Sequence, residues 1–360
     1  MSEKASEEVR PVTGMSRSTA VFFSTEPKTE PKPRLVMKPI TSFALLAAIA
    51  ATIGAANAAA TDPVGYITTT INANVSGTPA GSATFVAPSL VAPSDFAGAS
   101  TASPSGGTTI TFASGVPVGL DGASMLEITS GASEGWWTTV VSSTATTITV
   151  ADAFPAGLAA NTSVAVRKFN TLDSVFGANN SAGLTPFNGT TPADEIQILD
   201  PVTQAATAYI YVGGAWTNIV TEEPSGSAII HPGTSVLVIH HANTALSLVT
   251  SGSVKTTKTQ VDVYPSDNWL GQPNPTGGTL GTLTLAPQIL TNDNVLLTRP
   301  DPGTGQPTDT FVAVAGTMYN AVTEEPSDSE PVVEGSGYVL RRLPADAAST
   351  ITIPAQLIAQ

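Results

Sequence analysis

Along most of this chain, apolar and polar residues alternate in short runs bounded by Gly, Pro, Asn, Asp or Ser. A period of two marks a half-buried strand, and Val, Ile and Thr suit the pleated surface it presents. TTITF (108–112), SMLEITS (124–130), WWTTVVSS (136–143), TTITV (146–150) and SVAVRKF (163–169) read as a hairpin series. Before it, strands are predicted over 66–71 and within 82–91. After it come EIQIL (195–199), TAYIYV (207–212), WTNIV (216–220), SAII (227–230), SVLVIHH (235–241) and ALSLVTS (245–251). A similar succession follows: VDVY (261–264), TLTL (282–285), NVLLTR (294–299), TFVAVA (310–315), MYNAV (318–322), GYVLRR (337–342) and TITIP (350–354). Helix is expected in one place, a turn within 171–184 with Leu172, Val175 and Phe176 inward.

Within this pattern one stretch occurs twice. NIVTEEPSGS (218–227) is matched 102 residues later by NAVTEEPSDS (320–329), and Gly233–Val238 is echoed by Gly335–Leu340 at the same offset. Upstream, EIQILDP (195–201) matches NVLLTRP (294–300) once a three-residue insertion is allowed in the loop 301–309. Each unit is longer than a solenoid repeat. Two such units fit as the paired sheets of one sandwich or as two tandem β domains. The fold predicted is all-β: a small N-terminal barrel or sandwich, then a larger β-sandwich built from two related halves of about 100 residues.

The N-terminus breaks the pattern. Residues 37–58 join a basic lead (Lys32, Arg34, Lys38) to the apolar stretch Phe43–Gly54 and an Ala56-Asn57-Ala58 site. That is a secretory signal pattern, too short in its apolar part to span a bilayer. The 36 residues before Met37 lack apolar periodicity and read as a non-native or disordered extension, with Met37 as the start. The expected organisation is therefore 1–36 extension, 37–58 signal peptide, 59–170 N-terminal β domain, 171–258 first repeat and 259–360 second repeat.

Charge narrows the partners. The net charge is −14, and residues 1–58 hold seven of the 14 basic but five of the 28 acidic side chains. The remainder has seven basic and 23 acidic groups, a net of −16. Such a surface repels phosphate backbones, so no nucleic-acid partner is expected. Cysteine is absent, which removes disulfides, thiolate catalysis and cysteine-based metal sites. No membrane insertion is expected after signal cleavage.

Candidate chemistry is sparse. Gly131-Ala132-Ser133-Glu134-Gly135 matches G-x-S-x-G, but strand rather than helix follows it, so it reads as a hairpin loop and not a nucleophile elbow. His231, His240 and His241 are the three histidines. Neighbours on a strand face opposite ways, which separates His240 from His241 as metal ligands. The acid pairs Glu222-Glu223 and Glu324-Glu325 are candidate calcium ligands, since carboxylates and turn carbonyls suit a hard cation. The competing reading is a solvated turn that keeps strand edges from pairing. Trp136 and Trp137 are candidate glycan-stacking residues, with one of the pair expected on each face of a strand. Trp216 is replaced by Met318 in the second unit, which reads as core packing. No glycine-rich phosphate loop opens a helix.

The start ATDPVGYITTTI (60–71), the segment ITSGASEGWWTTV (128–140) and the close GSGYVLRR (335–342) resemble a family of uncharacterised secreted bacterial β-rich proteins whose mature chain begins with a DPVGY motif. The resemblance implies export and a β fold, and supplies no catalytic residue and no cofactor. Three functional readings follow. The first is an exported, non-catalytic structural or interaction protein of the cell surface or extracellular space. The second is a glycan- or calcium-binding module. The third is a glycosidase-type hydrolase built from paired carboxylates.

Overall fold

The computed structural model describes residues 63–75, 80–273, 275–297 and 309–355. The expected extension (1–36) and signal segment (37–58) lie outside them. Within them the chain is all-β, as its alternation requires. Strands β1 (Val64–Ile71) and β2 (Ser82–Val86) come first. Next are β3 (Ser94–Ala99), β4 (Thr109–Thr111), β5 (Ser124–Ile128), β6 (Trp137–Ser143), β7 (Thr147–Val150) and β8 (Ser163–Lys168). These six form one sheet in the order β3-β8-β5-β6-β7-β4. Its two edges are drawn together by a backbone bond from Thr101 N–H to Thr111 O (2.8 Å) and an edge-to-face contact of Phe96 with Phe112. Ile110, Leu126, Ile128, Val140, Ile148 and Val166 fill the space between.

The chain then runs through β9 (Asn170–Thr171), a π-helical turn at Asp173–Gly177, β10 (Glu195–Asp200), β11 (Ala205–Val212), β12 (Ala215–Asn218), β13 (Ile229–Ile230), β14 (Val236–His240) and β15 (Leu246–Ser253). The last part holds β16 (Thr259–Val263), β17 (Ser266–Gly271), β18 (Gly278–Thr279), β19 (Asn294–Leu297), β20 (Asp309–Val314), β21 (Thr317–Asn320), β22 (Pro331–Val332), β23 (Gly337–Arg342) and β24 (Ser349–Ile353).

Two five-stranded sheets result, β12-β11-β10-β14-β2 and β21-β20-β19-β23-β17, with the same order. Their registers agree as well. Ile196 lies opposite Val238 and Tyr209, as Val295 lies opposite Leu340 and Phe311. Each sheet is accompanied by its own ribbons, β1-β15 and β9-β13 in the first, β16-β24 and β18-β22 in the second. Each also encloses its own core. One is built on Phe176, Ile196, Trp216, Val236 and Val238, the other on Leu270, Val295, Phe311, Met318, Tyr338 and Leu340. The all-β fold thus contains two five-stranded sheets of like order, each with a core of its own.

The strand pairings divide the chain differently from the expected boundary at 170. β1 and β2 belong to the first five-stranded module, because β1 pairs with β15 and β2 with β14. The six-stranded sheet is thus inserted between β2 and β9. At the corresponding place in the second module, residues 272–277 link β17 directly to β18.

Two other expectations differ locally. TLTL (282–285) alternates like a strand but forms turns, with Leu283 and Leu285 buried in the second core. Thr279 and Thr282 trade side-chain bonds to each other's backbone N–H there, which bends the chain. Conversely, β3 and β17 were not expected. SDFAGA and SDNWLG are poor in β-branched residues, and they become strands because β8 and β23 offer them a ladder.

The two modules meet through equivalent residues. Ala87 N–H donates to Gly335 O and Gly271 N–H donates to Gly233 O, both at 2.8 Å. Val86 bridges to Ser336, and Leu270 bridges to Thr234. Each contact is the counterpart of the other, as in an isologous interface. Trp269 closes the seam edge-on against Phe85, with ring centroids 5.2 Å apart.

A buried ionic cluster holds the inserted sheet to the segment between β15 and β16. Lys255 Nζ donates to Glu127 Oε1 (2.8 Å) and to Thr257 Oγ1 (2.7 Å), and also meets the carbonyl of Lys258. Arg167 lies 3.9 Å from the other oxygen of Glu127. Burial lowers the Lys255 pKa, and Glu127 opposes that shift. The carbonyls around the ammonium replace the water it has lost, as a buried charge requires.

Candidate functional site

The inserted sheet, the first module and the second module converge on one cleft of about 360 Å³. Its walls come from three separate parts of the sequence. Trp136, Trp137 and Asp152 belong to the inserted sheet. Residues 198–202, His231, Pro232 and Thr234 belong to the first module. Gln260, Val261, Asp262, Tyr264 and Thr350 belong to the second.

The tryptophans are placed by the loop before β6. Gly135 takes a φ of +91°, and a side chain there would press to 2.8 Å on the backbone of Lys258. The loop therefore lies flat on the second module. Gln260 N–H donates to Gly135 O (2.9 Å), and Trp137 Nε1–H donates to Gln260 O (3.0 Å). The Gly131–Gly135 motif is thus a docking hairpin turn: Gly135 serves the backbone approach, and Gly131 supplies a positive φ of +83° in open space. Ser133 O accepts the Trp136 N–H within that turn.

Both tryptophans line the cleft, which departs from the expected alternation of faces. Trp136 precedes β6 and lies in the turn, so the strict period of two starts only at Trp137. Trp137 stacks on His231 with rings 25° apart in tilt and centroids 5.4 Å apart, while Phe169 meets both rings edge-on. Trp136 leans on Phe154 and packs at the margin of the inserted core. Each indole remains half-buried.

Three carboxylates share the cleft, one from each module. Thr138 Oγ1 donates to Asp152 Oδ2 (2.7 Å). Asp200 Oδ1 accepts the N–H groups of Val202 and Thr203 in a side-chain-closed turn. Thr350 Oγ1 donates to Asp262 Oδ1 (2.7 Å). The hydrogen bonds of Thr203, and then of the Val202 N–H, hold the Asp200 carboxyl below its usual range. Burial first, and then the charges of Asp262, Asp200 and Asp152, raise the Tyr264 phenol. His231 is open at the cleft mouth but crowded at its sides. That crowding lowers its pKa, with Asp200 opposing.

The other candidates lie elsewhere. Glu222, Glu223, Glu324 and Glu325 are exposed on two separate turns that are built alike. Asn218 Oδ1 accepts from Val220 and Thr221 N–H, and Asn320 Oδ1 from Val322 and Thr323 N–H. Glu222 and Glu324 both adopt left-handed backbone, with φ of +59° and +57°. Among the described residues no three His, Asp or Glu side chains gather where a metal could be held, at these turns or elsewhere. The turn motif is explained by its own backbone bonds.

His240 is buried rather than in the cleft. Its Nδ1 lies 2.7 Å from Asp194 Oδ2, and its Nε2 lies 2.9 Å from Thr244 O. With an acceptor at each ring nitrogen, it is the protonated ring that can satisfy both bonds by donating. The Asp194 hydrogen bond raises the His240 pKa against burial. Burial pushes Asp194 up, and bonds from His240 and from the Thr185 and His241 N–H groups bring it below its ordinary value. Trp216 is 1% exposed, with its Nε1–H on Gly177 O (2.9 Å), a core residue as expected.

Sequence reasoning found Trp136 and Trp137 but missed Asp152, Asp200, Asp262 and Tyr264 as their neighbours. These acids lie in three distant segments, Asp262 within β16 and the others at turns, and only the folded junction unites them. No protein-family model matches this chain, and no curated protein or solved structure is significantly similar to it.

Proposed function

We propose that this chain is an exported, non-catalytic interaction protein of the cell surface or extracellular space, and that it binds a glycan in the cleft between its three modules. The observation that carries the reading is the pair of half-buried indoles, Trp136 and Trp137, on the wall of a cleft of about 360 Å³. Ligand sites are concave, largely apolar and lined by a few placed polar groups. Sugar rings offer one apolar face to an aromatic ring and hydroxyls at their rim, which Asp152, Asp200, Gln260 and Thr350 can meet. Export rests on the signal pattern of residues 37–58. The two five-stranded modules are read as copies of one unit, in keeping with the 102-residue offset.

The hydrolase reading is weaker. A glycosidase holds one carboxylic acid protonated, usually by burial. Asp152, Asp200 and Asp262 are all exposed, and Asp200 is held below the ordinary range. A glycan array probed with the full chain tests the proposal. Binding to a subset of glycans, lost in Trp136→Ala with folding intact, is the expected result. A blank array across neutral, acidic and amino-bearing glycans would sink it.

A further inference from the structure

We propose that the glycan taken by this cleft carries free amino groups, as an oligomer of β-linked glucosamine does. This inference rests on the glycan reading and adds the charge of the ligand to it. The cleft is lined by three carboxylates, and neither lysine nor arginine lines it. Uronic, sulfated and phosphorylated sugars would bring negative charge to a negative wall with no cation to receive it. A neutral sugar would leave that field unused, whereas an ammonium group is attracted by it.

The three acids are arranged for such a group. They come from three modules, and all lie near enough to Tyr264 for their charges to oppose ionisation of its phenol. Each is oriented by a partner of its own: Asp152 by Thr138, Asp200 by the turn at 202–203, Asp262 by Thr350. A carboxylate has about four acceptor positions, and these bonds occupy only part of them. A bare metal ion does not fit, because the acids are not gathered into a ligand set. They are spread around a cavity wide enough for rings. Trp136 and Trp137 supply flat surfaces beside them, where an ammonium or the apolar face of a sugar can lie. A basic peptide shares the charge but not the ring hydroxyls that Gln260, Thr234 and Thr350 would meet.

Calorimetry on the full chain at about pH 6, where amines are protonated, tests this with three probes. They are a glucosamine tetramer, the same tetramer N-acetylated, and tetralysine. We expect the amine-bearing tetramer to bind at least about tenfold tighter than its acetylated twin. Asp200→Asn and Asp262→Asn, each confirmed as folded by its melting temperature, should each cut that preference several-fold. Salt at about 0.5 M should shrink it too, as it screens exposed charges. Equal binding of the two tetramers would overturn the amine inference and leave the glycan reading standing. Tetralysine binding tighter than the glucosamine tetramer would overturn the sugar class. Binding of no probe, together with a blank glycan array, would overturn both.

Discussion

Ser235 and Gly337 occupy equivalent positions in the two five-stranded modules, 102 residues apart, and they lie against each other across the seam. A Cβ on Gly337 would stand 2.4 Å from both Cβ and Oγ of Ser235. Two side chains therefore cannot face each other here. One side must be glycine so that the other can have a side chain. Gly337→Ser, which would make the pair identical, is expected to destabilise the protein by about 1–3 kcal/mol, the usual cost of overpacking a close contact. Thermal unfolding of the variant measures it. An unchanged melting temperature would mean that the seam is looser than this contact implies.

A second equivalence lies inside the cores. Arg342 stands 102 residues after His240, and each bonds the aspartate that leads into the neighbouring strand. His240 meets Asp194, and Arg342 Nη2 donates to Asp293 Oδ2 at 2.8 Å. The His240 pKa is raised by Asp194. Its contribution to stability is thus complete below the unfolded value of about 6.5 and is lost as pH rises through the folded value. Asp194 is lowered, so its share is present above about pH 3.9 and is lost as pH falls below that. His240→Gln should cost about 3–5 kcal/mol at about pH 6, as breaking a buried pair does, and less as pH rises through the folded value. Arg342→Gln should cost a similar amount with no such pH trend, since arginine stays charged. Denaturant titrations at several pH values distinguish the two. Parallel pH profiles for both variants would show that His240 is not the titrating partner.

These relationships explain what the sequence could and could not disclose. Alternation in TTITF identifies a strand because one face must be buried, whereas GYVLRR is an apolar run that is buried on both faces. The VTEEPS match points to two turns that share the same Asn-closed bonds and the same left-handed glutamate. The Asp–cation pair recurs by role, with arginine in place of histidine, so a search for duplicated histidines passes over it. β17 is hidden for a related reason: Asp267, Asn268 and Gly271 disfavour strand locally. Its ladder with β23, and a bidentate bond from Arg341 to Asp267 (2.6 and 3.0 Å), override that preference. The inserted sheet was legible as strands but not as an insertion, because order along a chain does not reveal that β2 pairs with β14 rather than with β3. The cleft was half legible. Trp136 and Trp137 are uncommon enough to attract notice, while an aspartate beside a turn looks like any other.

The duplicated acidic turn supplies the last prediction. Glu222 and Glu324 both hold left-handed backbone, which an L-residue adopts at a cost of roughly 1–2 kcal/mol and glycine adopts freely. The rest of each turn is complete without the glutamate side chain. Asn218 O accepts the Glu222 N–H and Asn320 O accepts the Glu324 N–H, both at 2.9 Å, and Ser225 and Ser327 N–H close on Trp216 O and Met318 O. Glu222→Gly and Glu324→Gly are therefore expected to raise stability by about 1 kcal/mol each, reduced by the greater freedom of glycine in the unfolded chain. Because the two turns are separate, the gains should add in the double variant. Calcium or a chelator should leave the melting temperature of wild type and variants unchanged, since the carboxylates are not gathered for an ion. A rise with calcium in wild type that disappears in either variant would support the metal reading of these turns and overturn the backbone one.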